Sequence, residues 1–176
     1  DLLVYSSTDA DNLKYYMDNF QKDNPDIKVK VVRESTGTMA AKMMAEKDNP
    51  QADVLFEMAA TVALKMESQG MFHPYTPKGM DKIDQRYVDK EGEVNWVGNY
   101  GWAGCICWNT IEAKKLGLPK PKSWAGLTNP IYKGLISMPN PNSSGTGFLD
   151  VSSWIQVMGE DAAWTYMDAL HKNVGV

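Results

Sequence analysis

An apolar strand run, a hydroxyl-rich turn and a helix-periodic segment follow one another repeatedly at the start of this chain. Leu2-Leu3-Val4-Tyr5 is the kind of short apolar run that forms a buried strand. Ser6-Ser7-Thr8-Asp9 then supplies helix-capping chemistry, and Leu13, Tyr16, Met17 and Phe20 recur along one helix face. Asn24-Pro25 stops that helix. Residues 27–32 alternate and are rich in β-branched side chains, which predicts a second strand. Glu34-Ser35-Thr36-Gly37-Thr38 reads as a second capping loop ahead of a helix over 39–47, closed by Asn49-Pro50. Residues 52–56 predict a third strand and residues 59–68 a third helix, stopped by Gly70. Strand, polar turn and helix in this order predict a parallel sheet with crossover helices. In such sheets ligands meet the carboxyl ends of the strands, where these turns lie.

Beyond residue 72 the pattern changes. Residues 72–95 are rich in Pro, Gly, Lys and Asp and read as a meandering surface connection. Residues 94–108, with their glycines and aromatics, read as an extended crossing between two lobes. The division expected is 1–100 for a first lobe and 101–176 for a second, incomplete one, with the hinge near 96–108. Within the second lobe, 111–116 predicts a short helix closed by Gly117, and Leu135 to Met138 a strand. Phe148, Val151, Trp154, Ile155 and Met158 predict one helical stripe. Glu160-Asp161 is expected to cap a last helix that buries Trp164, Met167 and Leu170. Asn173 to Val176 begins what should be another strand, so the chain reads as the N-terminal portion of something longer.

Composition narrows the function. The net charge is −4 over 176 residues with no basic run, which argues against nucleic acid and anionic membranes as partners. No apolar run is long enough to cross a bilayer, and no signal-peptide pattern opens the chain. Cys105 and Cys107 stand at i and i+2, on one face of an extended segment, and read as two small buried hydrophobes. His73 and His171 have no ligand-like spacing and read as surface or helix-end residues. No cofactor is expected.

The most informative loop is Asn140-Pro-Asn-Ser-Ser-Gly-Thr-Gly-Phe148. A strand before it and a helix after it place the amides around residues 144–147 at a helix N-terminus, where they lack intrahelical partners and face the positive end of the dipole. Glycines 145 and 147 would let a ligand approach the backbone, and Ser143, Ser144 and Thr146 add hydroxyls, which together make an anion cradle. The phosphate-loop pattern of nucleotide hydrolases requires a lysine that is absent here. A plain helix cap is the competing reading. The sister loops at Ser6 and Ser35 favour a binding cleft for a small anion. Catalytic patterns are weak: there is no Gly-x-Ser-x-Gly elbow, and neither histidine lies near a candidate serine in sequence. Asp53 reads as structural and Glu57 as a strand-end carboxylate able to meet a cationic group. Tyr100, Trp102 and Trp108 read equally as packing or as ligand contacts.

Val4-Tyr5-Ser6-Ser7, Asn49-Pro-Gln-Ala-Asp-Val54, Lys122-Ser-Trp-Ala-Gly-Leu127, Asn129-Pro-Ile-Tyr-Lys-Gly-Leu-Ile136 and Pro139-Asn-Pro-Asn-Ser-Ser-Gly-Thr-Gly147 occur in that order. In this the chain resembles the extracellular solute-binding proteins of ABC importers, in the group of ferric-iron and 2-aminoethylphosphonate binders. The resemblance implies an α/β fold of the type 2 periplasmic-binding class, with two lobes of parallel-type sheet flanked by helices and truncated here at the C-terminus. It implies a periplasmic or extracellular location, a cell-surface lipoprotein included, a membrane permease as partner, and binding without catalysis. It further implies that Ser7, Thr8, Thr36, Gly37, Thr38, Ser143, Ser144, Gly145 and Thr146 hold an anion such as an aminoalkyl phosphonate or phosphate. Glu57 would meet an ammonium and Tyr100 would line the cleft. Iron is the alternative solute. Iron-binding members use a histidine near the first strand, which is absent here, and a tyrosine pair that Tyr15-Tyr16, on the first helix, does not match. A phosphoester-processing enzyme is the alternative of another class.

Overall fold

The computed structural model describes residues 1–90 and 92–176, so Glu91, inside the expected 72–95 connection, lies outside the described residues. The chain divides into two compact units, Asp1–Trp102 and Ala103–Val176.

The first unit is built on a parallel sheet of three strands in the order β2-β1-β3, namely Val29–Arg33, Leu2–Ser6 and Val54–Phe56. The central strand β1 carries the burial: Val4, Tyr5 and Ser6 are all enclosed. A strand flanked on both sides reads as a continuous apolar run rather than an alternating one. Crossovers run through α1, Ala10–Asp23, and α2, Thr36–Ala45, and α3, Ala60–Ser68, follows β3. Register sets Val4 opposite Val31 on one side and Val54 on the other. Asp53 is structural, as expected: its Oδ2 accepts from Leu3 N–H at 2.8 Å, and its own N–H donates to Leu3 C=O at 2.9 Å. Tyr5 reaches out of the sheet to α2, where its hydroxyl donates to Glu46 Oε2 at 3.0 Å.

Two expectations about this unit change. α2 begins at Thr36, so Thr36, Gly37 and Thr38 form its first turn rather than a preceding loop. The Ser6–Asp9 turn does not cap α1, because no side chain caps that helix. Its hydroxyls bond elsewhere: Ser6 Oγ accepts from Thr8 N–H, and Ser7 and Thr8 bond to Glu57. Further on, one-turn 3₁₀ segments occupy Met80–Lys82 and Gln85–Tyr87, and Val88 bridges Val97 in antiparallel fashion.

The second unit is held by helices and aromatics. α4, Thr110–Leu116, is capped by Asn109 Oδ1, which accepts from Ile111 N–H and Glu112 N–H, and ends at Gly117 with φ at 64°. α5, Gly145–Met158, and α6, Glu160–His171, bury Trp154, Ala163, Tyr166 and Leu170 with Leu127 of the 3₁₀ turn Ala125–Thr128. Trp154 stands edge-on to Trp124 at 5.5 Å between ring centroids and to Tyr166 at 5.1 Å. Such pairs stabilise beyond their buried area. The Tyr166 hydroxyl donates to Trp124 C=O at 3.1 Å.

Both helical stripes hold with one departure each: Val151, Trp154, Ile155 and Met158 of α5 and Met167 and Leu170 of α6 join the core. Trp164 is 51% exposed and Phe148 is 49% exposed, while Ala163 and Tyr166 take the buried face of α6. Periodicity alone favours the bulkiest apolar residues, whereas close helix packing selects the small Ala163. Glu160 and Asp161 lie in the first turn of α6, with Gly159 at the cap position. The strand expected over Leu135–Met138 is a single parallel bridge, Ile136 to Val174. Cys105 and Cys107 are exposed rather than buried, with Ile106 and Trp108 taking the inner positions between and beside them. His73 is exposed, and His171, also exposed, is the last residue of α6.

Candidate functional site

In the first unit the carboxyl ends of β1 and β3 bring Ser7, Thr8 and Glu57 together. Ser7 Oγ–H donates to Glu57 C=O at 2.9 Å, and Thr8 Oγ1–H donates to Glu57 Oε2. Asn99 Nδ2 donates to Glu57 Oε1 at 2.7 Å. Asn99 was not foreseen in the sequence, which carries no local signal that would bring it to a residue 42 positions earlier. Glu57 has φ at 56°, a left-handed conformation uncommon for a non-glycine residue, which persists where surrounding bonds over-determine it. Thr8 is enclosed, and its remaining polar groups are engaged as well. Its N–H donates to Ser6 Oγ at 3.1 Å, and its C=O accepts from Arg33 Nε at 2.6 Å. Arg33 also lies 3.7 Å from Asp9 Oδ1. Partial burial, reinforced by the charges of Glu57 and Asp9, holds the Tyr100 phenol above its ordinary value.

Thr36, Gly37 and Thr38 stand at the start of α2. No side chain caps their amides, since Ser35 Oγ instead lies 3.0 Å from Thr38 Oγ1. The first helical bond is Met39 N–H to Ser35 C=O at 2.8 Å.

In the second unit Ser143, Ser144, Gly145 and Thr146 open α5. Ser144 is the cap: its Oγ accepts from Gly147 N–H at 3.3 Å. Ser143 N–H and Ser144 N–H both donate to Asn140 C=O, and Asn142 N–H donates to Asn140 Oδ1 at 2.9 Å. Asn140 thus folds the loop back on itself and leaves the amides of Gly145 and Thr146 without intrahelical partners. Gly147 serves a purpose the sequence did not reveal. A Cβ at that position would lie 2.4 Å from Pro139 O and 2.9 Å from Pro141 N, so its glycine seats the loop against the helix. Asp150, one turn beyond Thr146, has its carboxyl pushed up by burial. Its Oδ1 lies 2.0 Å from where a Cβ on Gly104 would stand, so the backbone at 104 passes close to this side chain. Among the described residues no group of His, Cys, Asp and Glu gathers in a form that could hold a metal ion. No described helix is long and apolar enough to cross a membrane.

Comparison with known proteins bears on these loops. Residues 49–176 match the family model of bacterial extracellular solute-binding proteins. A Haemophilus influenzae protein of uncharacterised function is 32% identical over 152 residues, covering 85% of this chain and 44% of that protein. A probable ABC transporter periplasmic-binding protein of Sinorhizobium fredii, y4fP, is 26% identical and covers 81% of this chain and 40% of its own length. Among solved structures, the periplasmic binding protein AfuA of Actinobacillus pleuropneumoniae, with exogenous fructose-6-phosphate bound, superposes with a TM-score of 0.86 at 31% identity. That match covers 99% of this chain and 56% of AfuA. The iron-bound HitA of Pseudomonas aeruginosa, at 22% identity and a TM-score of 0.74, shares the fold. The chain thus spans less than half the length of the curated relatives it matches, and the family model it matches is that of solute-binding proteins. With the parallel sheet of its first unit, the hydroxyl-rich helix starts and a family match over most of its length, this chain belongs to the bacterial extracellular solute-binding proteins.

Proposed function

We propose that this chain is part of the solute-binding component of a bacterial ABC importer, working outside the cytoplasmic membrane and delivering its solute to a permease. The solute is a small phosphorylated or phosphonylated anion, an aminoalkyl phosphonate or a sugar phosphate. The likeness to AfuA, 31% identical across 99% of this chain and holding fructose-6-phosphate, carries the reading. The start of α5 supports it: two amides without intrahelical partners and the Thr146 hydroxyl stand at the positive end of a helix of 14 residues. The uncapped first turn of α2, Thr36–Thr38, offers the same chemistry in the first unit. Such donors recognise an anion without any group that attacks it, so the protein binds and releases its solute unchanged. The segment 96–108 serves as the hinge in this reading.

Thr146→Val in the full-length protein should weaken binding of a phosphonate or sugar phosphate by roughly 1.5–3 kcal/mol, the worth of a hydrogen bond to a charged group. Calorimetry reads this directly, and unchanged affinity would remove the α5 turn from the site. A coloured, chelator-sensitive iron complex, or turnover of phosphate esters by the pure protein, would overturn the choice of solute or of function.

A further inference from the structure

Asp150, one turn into α5, is a carboxylate without a partner. Glu57, the acid expected from the sequence to meet an ammonium, already accepts from Thr8 and Asn99. Asp150 makes no hydrogen bond or ion pair with any described residue. The other acids of the second unit, Glu112, Glu160, Asp161 and Asp168, are exposed, whereas Asp150 is half-buried. Burial disfavours its charged form, which is why its carboxyl is pushed up. Gly104 leaves the room in which it sits, since Oδ1 occupies the space that a side chain at 104 would fill. Tyr166 is near enough to feel its charge, but the Tyr166 hydroxyl is committed to Trp124 C=O. Among the described residues no fully enclosed side-chain oxygen or nitrogen lacks a partner, so the oxygens of Asp150 keep access to solvent. A half-buried acid that is reachable and unpartnered is one whose complement comes from outside the chain.

Its place on α5 says what that complement carries. Thr146 and Asp150 are four residues apart on one helix face, a spacing that sets Cβ atoms about 5–6 Å from each other. A bare anion seated at the amides of Gly145 and Thr146 would lie one turn from an unneutralised negative charge and be repelled by it. A solute with an ammonium or hydroxyl a few bonds from its phosphorus turns that repulsion into a favourable contact, because an ionised carboxylate only accepts. We propose that Asp150 is a specificity-determining residue of the second unit. It accepts from a hydroxyl or ammonium of the solute whose phosphate or phosphonate is held at the start of α5, and it selects against anions that lack such a donor. The inference rests on the solute reading above and narrows it.

The test is calorimetry on the full-length protein with fructose-6-phosphate, 2-aminoethylphosphonate and ethylphosphonate, the last having no donor outside its phosphonate. The wild type should bind at least one donor-bearing probe tenfold or more tighter than ethylphosphonate. Asp150→Asn should weaken that probe about tenfold and leave ethylphosphonate bound as tightly or more tightly, because the repulsion goes with the charge. Asp150→Ser should do the same and covers the case in which Asp150→Asn does not fold. A response confined to 2-aminoethylphosphonate would identify the donor as an ammonium, and one confined to fructose-6-phosphate as a hydroxyl. Unchanged affinity for the donor-bearing probes, or an equal loss for all three, would overturn the assignment and leave the solute reading in place. So would a wild type that binds ethylphosphonate as tightly as the others. A wild type that binds none of the probes would overturn the solute reading and this assignment together.

Discussion

The two helix starts at Ser35 and Ser144 share a composition and differ in use. Ser144 caps its helix in the ordinary way, its Oγ accepting from Gly147 N–H. Ser35 occupies the same cap position, but its hydroxyl turns to Thr38 Oγ1 and no side chain caps the amides of Thr36–Thr38. The units around them differ as well. α5 rests on a continuous aromatic and aliphatic cluster centred on Trp154 and Tyr166. α2 rests on a small sheet through Met39, which is fully buried, and through the Tyr5–Glu46 bond. The lesson is that Ser, Gly and Thr residues set the chemistry of a helix start, while the partner taken by the cap hydroxyl decides how many amides remain available.

Substitutions can break or sharpen this contrast. The largest effect is expected from Trp154→Ala, which removes the ring at the centre of the second unit's core and should cost about 3–5 kcal/mol in denaturant unfolding. A smaller loss would mean that the unit does not depend on one cluster. Gly147→Ala places a Cβ against the backbone of Pro139 and Pro141 and should cost on the order of 3 kcal/mol, the upper part of the overpacking range. Retention of full stability would show that the loop can move away from α5. Ser144→Ala should cost about 1 kcal/mol as a lost cap, and Ser35→Ala only a few tenths, since it caps nothing. Equal losses at the two serines would erase the distinction between the helix starts.

A further effect, confined to alkaline pH, is a pH dependence in the second unit. Burial, followed by the charge of Asp150, pushes the Tyr166 phenol up to about 12 from an ordinary 10.0. Because the folded value is the higher, the stability linked to this proton is fully present below pH 10 and is lost as pH rises towards 12. Tyr166→Phe should flatten that alkaline decline in a series of unfolding curves. An unchanged slope would assign the decline to other groups.

Much of the fold was legible in the sequence, because local pattern and global architecture agree in the first unit. The apolar run Leu2–Tyr5, the capping-type turns and the Asn-Pro stops mark β1, α1 and α2 to within a few residues. The second unit was less legible. Its expected strands are reduced to one bridge, and Phe148 and Trp164 fall outside the core that the rest of their stripes join, because aromatic packing and the small Ala163 outweigh the count of bulky apolar positions. Asn173 is the clearest omission. It is buried, and its Nδ2 donates at 2.8 Å to Leu127 C=O and to Asn129 C=O, stapling the 3₁₀ turn Ala125–Thr128 and the residue after it to the end of α6. Nothing near it in sequence marks it, since its partners lie 44 and 46 residues earlier.

Candidate site residues divide in the same way. By itself the sequence determined the residue types: hydroxyls and glycines at helix starts, a carboxylate after the third strand, and the absence of a lysine in the glycine loop. Those follow from local preferences, which act over a few residues. Only the tertiary structure decided where each proton points. It turned Ser7 and Thr8 onto Glu57, brought Asn99 across to the same carboxylate, and left the amides at the start of α2 uncapped. A hydrogen bond is made by the proximity of two groups in space, and the chain between them carries no record of it.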